Sequence, residues 1–158
     1  MKKLFLTLCL VGGALISQAQ DTKFGARTGI DIASVTVTVP GFGSATASET
    51  GFFVGGFATF GLNETLSLQP ELLYVAIKDF NLISVPVLAK YTVAEQIHLL
   101  AGPDFNYLLD AQSDEFKVNF DLGGSYDIND NMDVQARYSI GFGDVKVSGL
   151  FLGVGYTF

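Results

Sequence analysis

The single histidine of the chain, His98, is the first residue to consider for catalysis. A hydrolase or an acyltransferase needs a nucleophile, a general base and a group that orients the base, all within reach of one another. His98 begins a predicted strand and is followed by Leu99 and Leu100, and the sequence around it offers no such triad. We therefore predict a structural histidine at the rim of the fold and no enzyme activity.

The sequence also gives little support for a bound metal or cofactor. Asp110, Asp114 and Glu115 lie close together and carry oxygen ligands that a divalent cation could use, but their spacing matches no calcium-binding loop. No glycine-rich loop opens a predicted helix, so a phosphate cradle is not expected. The sequence predicts solvated loop charges at these three positions, no metal and no cofactor.

Eight other charged residues lie in the middle of segments in which apolar residues alternate with polar ones. They are the four cations Arg27, Lys90, Lys117 and Arg137 and the four anions Asp31, Glu71, Asp104 and Asp121. Charges enclosed in a protein must be paired and hydrogen-bonded to be tolerated. The predicted internal pairs join Arg27, Lys90 and Arg137 to Asp31, Glu71 and Asp121.

Strands must position these charges. From Lys23 onward the apolar residues recur with a period of two, which is the pattern of β-strands. Most segments have the roughly 9–11 residues that a tilted strand needs to cross the hydrocarbon layer of a membrane. The eight predicted strands span residues 24–32, 52–60, 66–74, 83–91, 97–107, 116–126, 132–142 and 150–158.

The composition favours a membrane barrel over a soluble domain. Charged residues make up 16% of the chain, against about a quarter in typical globular domains. No apolar stretch after residue 20 is long enough for a transmembrane helix. The membrane architecture that remains is a closed barrel, in which every backbone group pairs between strands. We predict an all-β fold, an eight-stranded antiparallel up-and-down transmembrane β-barrel.

The first 19 residues have a different character. Lys2 and Lys3 precede an apolar stretch, and Ser17-Gln18-Ala19 offers small residues at the −3 and −1 positions of a signal-peptidase site. We predict a cleaved signal peptide, residues 1–19, and one barrel domain, residues 20–158. Without Lys2 and Lys3 this domain has 7 basic and 16 acidic residues, a net charge of −9, which argues against nucleic acid as a partner.

The placement of tyrosine indicates which strand face meets lipid. All six tyrosines fall on the apolar phase, most of them near a strand end, as in the aromatic girdles of membrane barrels. The opposite phase is rich in small residues, which suits the narrow interior of an eight-stranded barrel. The predicted girdle comprises Tyr74, Tyr91, Tyr107, Tyr126 and Tyr156.

The connections predict an orientation. Short turn-like stretches at 61–64, 92–96 and 129–131 lie at one end, and the longest connection, 34–49, lies at the other. Because outer-membrane barrels keep short turns on the periplasmic side, both termini are predicted to be periplasmic. Three prolines interrupt predicted strands, and a local bulge is expected at each one. They are Pro70, Pro86 and Pro103.

Five short motifs stand out along the chain: 68–74 (LQPELLY), 83–91 (ISVPVLAKY), 100–103 (LAGP), 136–138 (ARY) and 152–158 (LGVGYTF). In this order and spacing they resemble the PorT-like outer-membrane β-barrel family of Bacteroidota. The resemblance implies an outer-membrane location and a small barrel of the OmpA and OmpX type. It also implies that Tyr156 and Phe158 form the C-terminal signal that the barrel-assembly machinery reads.

These observations predict a structural or interaction role. The expected protein is a monomeric barrel with a side-chain-filled lumen and short acidic outer loops. Its predicted partners are outer-membrane lipid, the assembly machinery and an unidentified extracellular or envelope partner. Two alternatives stay open: a barrel that binds a small apolar ligand, and a lipid-modifying outer-membrane enzyme.

Overall fold

The computed structural model describes residues 22–39, 43–78, 80–109, 116–142 and 145–158, so the predicted signal peptide lies outside the described residues. Eight antiparallel strands follow one another along the chain. They are β1 Thr22–Val39, β2 Gly43–Gly61, β3 Leu66–Ile77, β4 Phe80–Ala94, β5 Ile97–Leu108, β6 Phe116–Asp127, β7 Met132–Gly141 and β8 Val145–Thr157.

Each strand pairs with its neighbours in sequence, and β8 returns to pair with β1, which closes the barrel. This confirms the predicted eight-stranded up-and-down barrel. Closure leaves no free edge around the barrel wall, so the backbone groups of the wall bond between strands. In the described part of the chain, no helix has the length and apolarity needed to cross a membrane.

The alternation of side chains places apolar residues outside and polar residues inside. In β7 the burial alternates strictly from Met132 to Gly141, with Asp133, Gln135 and Arg137 buried. In β2 two neighbouring aromatic residues compete for the lipid-facing phase in the sequence; in the structure Phe53 is buried and Phe52 is 58% exposed. The exposed apolar phase is what a strand in lipid requires.

The lumen also contains an apolar cluster on one side. Phe53 and Phe151 pack with their ring centroids 5.4 Å apart, and small and aliphatic side chains surround them. The cluster consists of Ala33, Phe53, Leu73, Val75, Ile77, Leu82 and Phe151. Aromatic pairs of this kind add packing energy beyond the area that they bury, so the cluster helps to hold β8, β1, β2, β3 and β4 together.

The predicted long loop at 34–49 is wrong, because β1 and β2 continue through it. Their ladder runs without interruption from Thr22↔Phe60 to Val39↔Gly43. Cross-strand hydroxyl pairs join Ser34 Oγ to Ser48 Oγ at 2.9 Å and Thr36 Oγ1 to Thr46 Oγ1 at 2.9 Å. Alternating Val and Thr residues favour strands, and Gly43, the first residue of β2, has a φ of 98°, which glycine adopts without strain.

The predicted bulges at the three prolines are also wrong. The register does not shift at Pro70, Pro86 or Pro103; instead, two residue pairs are missing from the ladder beside each proline. A proline has no N–H to donate, so the ladder loses a hydrogen bond without needing an extra residue. The register shift that the strands do show lies between Thr92 and Ala94.

Candidate functional site

The best-defined polar site is a cluster of charges in the middle of the lumen. Glu71, from β3, lies between Arg27 of β1 and Arg137 of β7, and all three side chains are almost completely buried. Arg27 Nη1 donates to Glu71 Oε1, and Arg137 Nη1 donates to Glu71 Oε2 at 2.8 Å. One carboxylate therefore bridges two arginines from β1 and β7, strands that are separated by β8 alone.

Each arginine has a second anionic partner and an aromatic ring. Arg27 Nη2 donates to Asp133 Oδ1 at 2.6 Å, and Arg137 Nε lies 3.2 Å from Asp121 Oδ2. The guanidinium carbons lie 4.5 Å from the Phe57 ring centroid and 4.6 Å from that of Phe151. The planar guanidinium can satisfy carboxylates and a ring face together, which a lysine could not do.

Asp104 is fully buried and is held by neutral donors instead of a cation. Its Oδ1 accepts from Ser84 Oγ at 2.8 Å, and its Oδ2 accepts from Asn106 Nδ2 at 2.9 Å and from Ser139 Oγ at 3.4 Å. Three neutral donors therefore take the place of an ion pair at this buried side chain.

Apart from Asp31, the predicted lumen charges lie in three places. Arg27, Glu71, Asp121 and Arg137 lie in the central cluster, and Asp104 lies beside it. Lys90 lies at the end with the short turns, where its Nζ is 3.5 Å from Asp127 Oδ1. Lys117 is half-buried near the opposite end, where its side chain interacts with a neighbouring group.

Two of the predicted pairings are wrong. Asp31 forms no ion pair with any residue that the structure describes, and Lys90 pairs with Asp127 instead of with a carboxylate in the middle of a strand. Sequence reasoning also missed Asp133 as the second partner of Arg27. Asp133 has the same alternation phase as Arg137, and this signal could have identified it as a lumen residue.

His98 takes part in a hydrogen-bonded chain at the rim of the barrel. Thr92 Oγ1 lies 3.0 Å from His98 Nδ1, and His98 Nε2 lies 2.8 Å from Asp127 Oδ2. A hydroxyl, an imidazole and a carboxylate are therefore connected, contrary to the expectation that no triad could form around His98. Because the three residues come from β4, β5 and β6, their bonds tie the rims of three strands together.

The described interior contains two separate cavities at opposite ends. A cavity of about 290 Å³ opens at the end with the short turns and is lined mainly by polar residues, among them Gln69, Thr92 and His98. A second cavity of about 20 Å³ lies beyond the charge cluster, next to Asp31 and Phe151. The two cavities share no lining residue, and the arginine–carboxylate cluster lies between them.

We predict negligible ion conductance for the barrel in planar bilayers, because the packed charge cluster and the apolar cluster obstruct the lumen. Eight strands enclose a space that side chains can just fill. The Phe53→Ala/Phe151→Ala double variant, which empties part of the apolar cluster, serves as the comparison. Stable channels of porin size in the unmodified protein would contradict the prediction.

The outer surface has aromatic residues near both ends of the strands. Each of the five tyrosines predicted for the girdle is exposed, between 42% and 50% of its surface. At the chain end the Tyr156 and Phe158 rings lie 5.9 Å apart at 62°. Phe158 is 79% exposed, and its backbone N–H donates to the Phe24 carbonyl at 2.9 Å. The last residue is thus bonded to β1 while its ring projects outward.

Comparison with known families gives one match over nearly the whole chain. Residues 5–158 match the family described as outer membrane protein beta-barrel domain. No curated protein matches the sequence.

Solved structures share the fold at low sequence identity. Neisserial surface protein A (NspA) is 21% identical, with a TM-score of 0.57, over 88% of this chain and 100% of its own. Ail, the attachment invasion locus protein of Yersinia pestis, is 18% identical, with a TM-score of 0.58, over 88% and 100%. A structure from the de novo design of transmembrane β-barrels is 15% identical, with a TM-score of 0.56, over 89% and 99%.

Proposed function

The chain belongs to the outer membrane protein beta-barrel domain family, and from this premise we propose that it is an interaction protein whose binding surface is the β1–β2 hairpin at its outer end. Outer-membrane lipid surrounds the wall, and the lumen is filled with side chains. A role in molecular contact therefore falls to the end of the barrel that projects beyond the membrane. Within the family, the short motifs quoted above support a PorT-like assignment.

The observation that carries this proposal is the open edge of β2. Pairing between β2 and β3 begins at Phe52↔Ala76, whereas pairing between β2 and β1 continues to Gly43. Among the described residues, Ala45–Gly51 therefore have a ladder partner on one side only. A strand with such an edge offers a row of backbone N–H and C=O groups to another chain.

The composition of this edge leaves it unprotected. Natural sheets block exposed edges with lysine, proline, bulges or inward-pointing charges. Residues 45–51 read ATASETG, with a single charge at Glu49. An extended segment of an extracellular protein can add a strand here, because the hydrogen bonds are made by the backbone and small side chains give little steric hindrance.

The acidic residues of the predicted outer loops, Asp110, Asp114 and Glu115, lie outside the described residues. Their negative charge supports a role in partner selection, because they would repel a partner whose surface is also acidic.

The orientation of the barrel is also part of the proposal. The turns at 62–65, 95–96 and 128–131 lie at the same end as Thr22, the first described residue, and Phe158, and this end is assigned to the periplasm. The protein is proposed to act as a monomer.

The two alternative functions receive different support. The turn-end cavity does not favour a small apolar ligand, because hydroxyl, amide and charged side chains line most of it. The Thr92–His98–Asp127 chain leaves the lipid-modifying enzyme open as an alternative. Lipid profiles of cells that make His98→Ala protein test it, and a changed profile would favour the enzyme.

Proline and alanine substitutions in the edge test the interaction proposal. Of two neighbouring residues in a strand, one N–H points towards β1 and the other points away. Ala47→Pro and Ser48→Pro therefore differ in the N–H that they remove. We expect the variant that loses the N–H pointing away from β1 to abolish adhesion of cells to a protein-coated surface, because it keeps the hydrogen bonds between β1 and β2. The Ser48→Ala variant keeps every backbone donor and is expected to adhere normally.

Amide hydrogen exchange locates the contact in the same experiment. The amides of residues 45–51 should become protected when the barrel, in lipid nanodiscs, binds the coating protein that supports adhesion. Equal adhesion of both proline variants and the unmodified protein would show that the edge is not the binding surface. Loss of adhesion in Ser48→Ala as well would assign recognition to side chains instead of the backbone.

A further inference from the structure

Asp31 is a buried carboxylate that the charge cluster leaves without a partner. Its side chain points into the lumen from β1, and the residue is 2% exposed. Oδ1 accepts no hydrogen bond, and no cation among the described residues pairs with it. A buried ionised group in this state is costly unless something else compensates its charge.

Asp31 lines the second cavity, whose size suits a single occupant. Its volume is about 20 Å³, and a space of about 10–15 Å³ on the same measure is enough for one water molecule. Apolar residues close one side of it, including Ile77, Leu82 and Phe151. The cavity is therefore a small chamber for one water-sized species, next to a carboxylate that has no direct ion-pair partner among the described residues.

The polar residues that line this chamber are rich in oxygen. Asn106 Nδ2 donates to Asp104 Oδ2, and Asn119 Nδ2 donates to Ser139 Oγ and to the Val147 carbonyl. Both amide nitrogens are thus engaged with acceptors, which leaves the Oδ1 atom of each amide as its remaining polar group. Hydroxyl oxygens come from two serines of the same chamber, Ser139 and Ser148.

The charge balance of the lumen supports a positively charged occupant. Among the described residues, five carboxylates and two arginines are buried. The carboxylates are Asp31, Glu71, Asp104, Asp121 and Asp133. Arg137 is paired directly with Glu71 and Asp121 and does not line the chamber, so its charge acts on Asp31 only from a distance.

We propose that the chamber binds one hard cation of the size of Ca²⁺ or Na⁺. Asp31 would supply the charged oxygen, and Asn106, Asn119, Ser139 and Ser148 would supply neutral oxygens from four other strands. Hard cations prefer such carboxylate, carbonyl and hydroxyl ligands, and water completes their coordination. In the described residues, no group of three or more His, Cys, Asp or Glu side chains could hold a metal, so this site depends on amide and hydroxyl oxygens.

The test measures the unfolding midpoint of the folded barrel in a non-ionic detergent, with CaCl₂ or NaCl titrated against choline chloride at constant ionic strength. A ligand that binds only the folded state raises the midpoint in a concentration-dependent manner. We expect this response in the unmodified protein and expect it to be absent in Asp31→Asn. Glu49→Gln removes an exposed carboxylate from the neighbouring strand and should respond like the unmodified protein.

The order of the unfolding midpoints of the unmodified protein and Asp31→Asn should also reverse when the cation is added. Without Ca²⁺ or Na⁺, Asp31→Asn should unfold at an equal or higher midpoint than the unmodified protein, because it lacks the uncompensated charge. With saturating cation the unmodified protein should become the more stable. If neither cation moves the unmodified midpoint more than it moves that of Asp31→Asn, the proposal is overturned, and Asp31 then holds a proton or a water molecule.

Discussion

Replacing Glu71 with glutamine is expected to lower the free energy of unfolding by about 3–5 kcal/mol, the range for breaking a buried ion pair by removing one partner. The bridge from Glu71 to Arg27 and Arg137 is the reason. A neutral amide would leave both guanidinium groups buried with one anionic partner each, Asp133 for Arg27 and Asp121 for Arg137. The amide of glutamine would also bring an N–H donor towards groups that are themselves donors.

Urea unfolding of the barrel in lipid vesicles measures this effect. Glu49→Gln makes the same chemical change at an exposed position, and surface substitutions of this kind change stability by about 0.5 kcal/mol or less. If Glu71→Gln and Glu49→Gln shift the midpoint equally, Glu71 does not hold the two arginines. Arg137→Ala should also destabilise the barrel, because it leaves Asp121 and Glu71 short of a cation.

Replacing Phe158 with alanine is expected to reduce insertion of the barrel in cells several-fold while leaving the stability of the refolded barrel nearly unchanged. The ring is 79% exposed and contacts Tyr156, so its loss removes little internal packing. The backbone bond from Phe158 to Phe24 does not depend on the side chain. The effect should therefore fall on recognition by the assembly machinery, which we propose reads Tyr156 and Phe158.

The experiment compares the protein found in the outer membrane with the unfolding midpoint of protein refolded in detergent. Phe142→Ala is the matched control, because Phe142 is 61% exposed and follows the opposite end of β7. Equal assembly of Phe158→Ala and Phe142→Ala in cells would contradict the proposed signal. A large loss of stability in refolded Phe158→Ala would mean that the residue acts in the fold instead.

The two faces of each strand could be predicted because successive side chains point to opposite faces, and this alternation does not depend on which strand lies beside it. In β2 the alternation favours Phe52 and Val54 on the outer phase, although Phe53 and Phe57 compete for it. The ends of strands were harder to predict. Residues 34–49 combine strand-forming Val and Thr with Pro40 and Gly41, and the small polar residues do not reveal that the ladder between β1 and β2 continues to Val39↔Gly43.

The interior contacts could be predicted only as a set. Sequence alternation identifies Arg27, Asp31, Glu71 and Arg137 as lumen residues, but it does not reveal which of them meet. That depends on the stagger between strands around the closed barrel, which brings Glu71 to both arginines and leaves Asp31 beside the small chamber. Asp133 became a partner of Arg27 because β8, which lies between them, has Gly155 there. A Cβ at this position would lie 2.9 Å from Arg27 Nη2.

The sequence by itself determined the architecture of this protein and the two faces of its wall, because both follow from local alternation and strand length. The tertiary structure alone decided the pairing of charges, the open edge of β2 and the oxygen-lined chamber at Asp31. Each of these features is made by residues from several strands, and their positions relative to one another depend on register and on closure. No local pattern in the chain encodes those distances.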